Sequence, residues 1–109
     1  MANVFKNARG VVATSYNTIY TCPANTVAII IGAQAANVDP SATTEVSMQW
    51  LDASASNAAT RLAHQTSIPT ASSLGLVSGQ FVLEAGDSVQ VSGSAAGKAE
   101  VTLGILEMT

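Results

Sequence analysis

The stretch Thr44-Glu45-Val46-Ser47-Met48-Gln49-Trp50-Leu51-Asp52 decides the fold. Val46, Met48 and Trp50 alternate with Glu45, Ser47 and Gln49, and successive side chains of an extended chain point to opposite faces. Three large apolar groups therefore fall on one side of a strand, where a helical turn would spread them around its circumference. This strand is expected at the centre of the core.

The same period of two continues outward. Upstream, Asn17 to Thr21 reads as a short strand, and the break Cys22-Pro23-Ala24-Asn25 leads into a longer one from Thr26 to Asn37. There Val27, Ile29 and Ile31 oppose Ala28, Ile30 and Gly32, and Ile30 makes both faces apolar, which predicts cover on both sides, by the domain and by a neighbouring subunit. Asn37-Val38-Asp39-Pro40-Ser41 is a turn, because Asp and Asn bond the nearby backbone and Pro fixes φ. Downstream, Ala53 to Ala59 is a small polar linker and Thr60 to Ile68 another alternating segment. Leu74 to Val77, Gln80 to Glu84, Ser88 to Ser92 and Glu100 to Met108 complete the set, with Ala85-Gly86-Asp87 and Gly93 to Gly97 as turns. The spacing predicts an all-β, single-domain antiparallel β-sandwich or jelly roll of about seven to eight strands, with residues 11–109 as the sandwich and residues 1–10 as an N-terminal arm.

At 109 residues the chain suits one core. Charged residues make up only 10% against roughly 25% in ordinary soluble domains, while hydrophobic residues reach 48%. Such a surface has little electrostatic protection from self-association, so permanent assembly with other chains is favoured over a neutral Ser/Thr-rich secreted domain. The formal charge of −3 gives phosphate little to bind, and no direct contact with nucleic acid is expected. Two of the four basic residues, Lys6 and Arg9, lie in the first ten positions, so a weakly basic arm precedes an acidic body. The start lacks the apolar run of a signal peptide and no stretch is long enough for a membrane helix, so synthesis in the cytoplasm and no membrane partner are expected.

Chemistry-bearing residues are few. Cys22 and His64 are the single Cys and His, neither in a nucleophile, zinc or His-x-x-x-His motif, and a disulfide at Cys22 would have to be intermolecular. Packing explains the thiol better than catalysis does, and His64 reads as a surface or interface imidazole. Glu84 and Asp87 flank one turn, read as solvated with weak calcium binding as the alternative. Trp50 is expected in the core, and Tyr16 and Tyr20 at a sandwich edge, with an adhesion patch as their alternative. GxxxG matches at Gly75–Gly79 and Gly93–Gly97 lie in no apolar helix. No enzyme activity, metal or cofactor is expected.

Several segments resemble the small β-rich virion proteins of tailed bacteriophages, especially capsid decoration (cement) proteins and short tail or head–tail accessory subunits. They are Ile19-Tyr20-Thr21-Cys22-Pro23-Ala24-Asn25-Thr26, Ala35-Ala36-Asn37-Val38-Asp39, Val46-Ser47-Met48-Gln49-Trp50, and Val82-Leu83-Glu84-Ala85-Gly86-Asp87-Ser88-Val89-Gln90-Val91. The resemblance covers most of the chain from Asn17. It implies a structural virion protein on the outer surface of a phage head, binding the major capsid protein or another virion protein, as a homo-oligomer with a trimer favoured. Lys6 and Arg9 would then form a shell-docking arm that orders on binding. The alternatives are a tail or head–tail accessory subunit and, from another class, a carbohydrate- or surface-binding β module.

Overall fold

Alternation is a local property, and in the computed structural model, which describes residues 2–109, it produces a two-stranded ribbon rolled on itself. The described residues form strands β1 (Asn3–Val11), β2 (Asn17–Thr21), β3 (Val27–Asn37), β4 (Thr44–Asp52), β5 (Ala58–Ile68), β6 (Ser73–Gly75), β7 (Phe81–Leu83), β8 (Ser88–Gly93) and β9 (Ala99–Met108). Strands β4 and β5 make the central hairpin, and outward from it β3 pairs with β6 and β7, β2 with β8, and β1 with β9, all antiparallel. Rolling the ribbon brings β9 beside β3 and β8 beside β4. The first sheet runs β1-β9-β3 with β6 and β7 sharing the far edge, and the second runs β2-β8-β4-β5. This nested order is a jelly roll, two antiparallel sheets around one core, as the strand spacing predicts.

Residues 3–10, expected as an arm ahead of the sandwich, lie in β1, so the sheet begins at Asn3 and not at residue 11; Met1 lies outside the described residues. The strand is paired to β9 along its whole length, from Asn3 opposite Met108 to Val11 opposite Glu100. Its inward positions are Val4, Lys6, Ala8 and Gly10, a set too polar and too small to read as a buried face before the partner is known. Gly10 allows a close approach to β2, since a Cβ there would strike Ile19 Cγ2.

Inside, Ile30, Met48, Leu83, Val89, Val91, Leu103 and Ile105 are fully buried, drawn from both sheets. Val46 and Met48 take their expected places, and Trp50 packs partly buried at the edge of this core with its ring edge-on to Phe81 at 5.5 Å. Strand β3 does not keep one phase. Its register shifts between Ile30 and Gly32, so the inward series changes from Ala28 and Ile30 to Ala33, Ala35 and Asn37. Ile31, left over at the bulge, joins Val27 and Ile29 on the outside of the sheet.

Local chemistry pins the turns. Asn37 satisfies all its side-chain capacity at the β3–β4 turn: Nδ2 donates to the Ala42 and Ile68 carbonyls, and Oδ1 accepts from Asp39 N and Thr44 Oγ1. In the β4–β5 connection Asp52 Oδ1 accepts from Ser54 N and Ser54 Oγ, closing a 3-10 turn at Ala53–Ala55. Between β7 and β8, Gly86 takes φ 88°, a conformation that a side chain would strain.

Candidate functional site

The expected docking cations separate. Lys6 points inward from β1, and its Nζ lies 2.9 Å from Glu107 Oε1 on β9. The other carboxylate oxygen, Glu107 Oε2, accepts from the Tyr20 hydroxyl at 2.5 Å. The Tyr20 bond and then Lys6 hold the Glu107 carboxyl below the usual carboxylate range, while burial and the adjacent carboxylate raise the Tyr20 hydroxyl far above its ordinary value. Lys6 is thus an internal latch that ties β1 to both sheets. Arg9 lies exposed on the outward side of β1 and makes no ion pair among the described residues.

Tyr20 is not half of a surface patch with Tyr16. A register shift after Thr18 turns its ring toward the core, and its hydroxyl is used by Glu107. Cys22 and His64 are not brought together. Cys22 follows β2, His64 lies on β5, and these are the opposite edges of the second sheet, about 14 Å apart at roughly 4.8 Å per strand. The thiol is buried and donates to the Thr26 carbonyl at 3.3 Å, and burial followed by the Glu107 charge pushes its pKa up. His64 is exposed.

The turn carboxylates have structural work. Asp87 is buried, its Oδ1 accepting from Ala53 N and its Oδ2 from Glu84 N and Trp50 Nε1. Asp52, Glu84 and Asp87 approach within 4.8 Å of one another, but Asp87 is directed at three N–H groups and Asp52 at Ser54. The solvated turn expected for Glu84 and Asp87 holds for Glu84 alone.

The feature that sequence reading only glimpsed is a face. Register sets Phe5 (β1), Leu106 (β9), Ile29 (β3) and Val82 (β7) in one row across the outside of the first sheet. Met108 and Val27 lie on one side of the row and Ile31 on the other, and Phe5 is 73% exposed and Val82 55%. The outside of the second sheet has the opposite character: Gln49 Nε2 donates to Gln90 Oε1, and Gln90 Nε2 to Thr18 Oγ1, a polar ladder over three strands. One outer face is suited to water and the other is not. The apolar run around Ile30 was the available signal.

With this geometry in view, likeness to known proteins extends to structure alone; neither a family model nor a curated protein sequence matches the chain. The chain superposes on a solved structure described as the acidic stable capsid of Helicobacter pylori bacteriophage KHP30, with TM-score 0.62 and 13% identity, over 100% of this chain and 89% of that one. It also superposes on a Bacillus endospore appendage, described as a family of disulfide-linked pili, with TM-score 0.61 and 15% identity, over 99% of this chain and 87% of that one. A third likeness is to the infectious bursal disease virus particle, TM-score 0.57 and 6% identity, covering 96% of this chain but 30% of the larger protein. The chain shares their fold. At these identities the likeness is one of architecture, and it carries over no site residue.

Proposed function

We propose that this chain is a non-enzymatic structural subunit of a phage particle, a decoration protein that binds the head lattice and reinforces it. The observation that carries the reading is the division of labour among its side chains. Its buried titratable groups are occupied in holding strands and turns, while the outer face of the first sheet leaves a central apolar row, with Phe5 and Val82 exposed, uncovered. The likeness to a phage capsid chain over nearly the full length of both supports this setting.

On this reading the subunit docks as a folded sandwich with β1 already in place, and Arg9 is the arm residue left to meet acidic groups on the shell. Lys6 contributes to docking indirectly, by fixing the strand that carries Arg9 and Phe5. Affinity comes from many copies engaging a lattice together. A disulfide-linked filament is the weaker setting, because Cys22 offers no exposed thiol. A carbohydrate module is weaker too, since the Tyr20 ring faces inward.

The test is co-sedimentation of the purified chain with empty phage shells lacking it. Saturable binding that falls on Arg9→Glu supports the proposal. Shells that sediment bare, with the chain recovered instead on tails or baseplates, overturn the head location. The trimer implied by the resemblance to cement proteins predicts saturation at one trimer per local three-fold position of the shell.

A further inference from the structure

We infer that the outer face of the first sheet is a two-fold interface between two copies of this chain. The inference concerns the free protein and goes beyond shell binding: a second copy seated on this face covers Phe5 and Arg9, so it must leave before they meet a lattice.

Three features of the face point to a second copy. The first is charge. Around the Phe5–Leu106–Ile29–Val82 row the outward positions are Asn3, Asn7 and Gly104, and one carboxylate, Glu84, borders it beside Val27 and Met108. The far end carries Arg9 and Glu100, one of each sign, so with Glu84 at the border the face holds a net −1 of the chain's −3. Two like-charged molecules repel least across such a surface, and a two-fold brings no concentrated charge against its own image.

The second is shape. Gly32 and Gly104 lie opposite each other at the β3 bulge, both facing out, and Ile31 stands over Gly104 as a ridge. A shallow depression flanks the ridge on each side, one bounded by Gly32, Gln34 and Thr102, the other by Phe5 and Asn7. Knobs, Phe5 and Ile31, and sockets thus occur together on one surface. An isologous interface requires that combination, since each copy must supply both halves of every contact.

The third is size and layout. Four strand positions at about 4.8 Å and strands of about 30 Å give a flat footprint of roughly 600 Å², which side-chain relief brings near the roughly 800 Å² per partner of a stable interface. The apolar row forms its centre, and Asn3, Asn7, Gln34 and Thr102 form a polar rim.

Gly32 makes the test clean. Its φ is ordinary and nothing lies within 4 Å of where a Cβ would go, so Gly32→Arg fills the socket with charge without straining the fold. The measurement is sedimentation velocity on the full-length chain over a wide concentration range, with far-UV circular dichroism as the check on folding. The wild type is expected at twice the 11.0 kDa chain mass. Gly32→Arg and Phe5→Ser are each expected to weaken association by at least about 30-fold, while Thr18→Arg on the polar face leaves it unchanged. A wild type that stays monomeric at about 100 μM overturns the inference, given that a standard interface associates well below that. So does a dimer or trimer indifferent to both substitutions, or one that Thr18→Arg disrupts equally. Because no shell is present, failure here is distinct from failure of shell binding.

Discussion

Replacing Asp87 by Ala removes one acceptor from three donors at once. The carboxylate accepts from Ala53 N at 2.9 Å, Glu84 N at 2.9 Å and Trp50 Nε1 at 3.2 Å, joining the β7–β8 turn to the β4–β5 turn and to the rim of the core. Hydrogen bonds to a charged acceptor are each worth about 1.5–3 kcal/mol when the donor is left without a substitute. Ala53 and Glu84 are exposed residues whose amides regain water, whereas the indole N–H is partly enclosed, so the three losses do not add in full. A destabilisation of about 3–5 kcal/mol results, a large share of the roughly 5–15 kcal/mol typical of a whole domain. Asp87→Asn keeps the size but turns an amide NH2 toward one donor, and about 2 kcal/mol is expected. Trp50, the single tryptophan, supplies the assay: its fluorescence follows urea unfolding, and its quantum yield reports loss of the Nε1 bond. A shift below about 1 kcal/mol for Asp87→Ala would refute the reasoning, because the donors would then have water or other acceptors at no cost. Addition of millimolar calcium is expected to leave the wild-type midpoint unchanged. A calcium-dependent rise lost in Asp87→Ala would instead assign these carboxylates to a metal.

Other consequences are open to measurement. The folded-state pKa of Glu107 is depressed by Tyr20 and Lys6, so its contribution is present above the ordinary Glu value of about 4.3 and lost as pH falls through the lower folded value. Protection factors of the β1 amides, which correct for the intrinsic pH dependence of exchange, should therefore fall on acidification, and Glu107→Gln should lower them already at neutral pH; protection insensitive to both would remove the latch. Gly93→Ala should destabilise by about 1–3 kcal/mol, since the new Cβ would sit 2.5 Å from Val12 Cγ2, and Val12→Ala in the same chain should recover part of the loss. Native Cys22 should resist an aromatic disulfide reagent and react fully in urea; rapid labelling of the folded protein would show a thiol far more open than its burial and its bond to Thr26 imply.

Much of this molecule was legible from its residues. Strands β2 and β4 coincide with the segments expected, and β8 and β9 lie within a residue of them, because alternation of apolar and polar groups is written into neighbouring positions and needs no partner to be read. The turn at Asn37 was equally local, since Asn and Asp bond backbone two residues on. Strand β1 was not legible: its inner face holds a Lys and a Gly, and what makes it a strand is pairing with β9, about a hundred residues away in the chain. The pairing of Lys6 with Glu107 and the cradle around Asp87 were hidden for the same reason, being contacts between elements distant in sequence. The outer face shows the boundary most sharply. Sequence revealed that β3 is apolar on both sides, but not which side would meet the core, because the bulge at Ile30–Gly32 reverses the phase partway along. Only register across β1, β9, β3 and β7 aligns Phe5, Leu106, Ile29 and Val82 in a row, and register is a property of the assembled sheet.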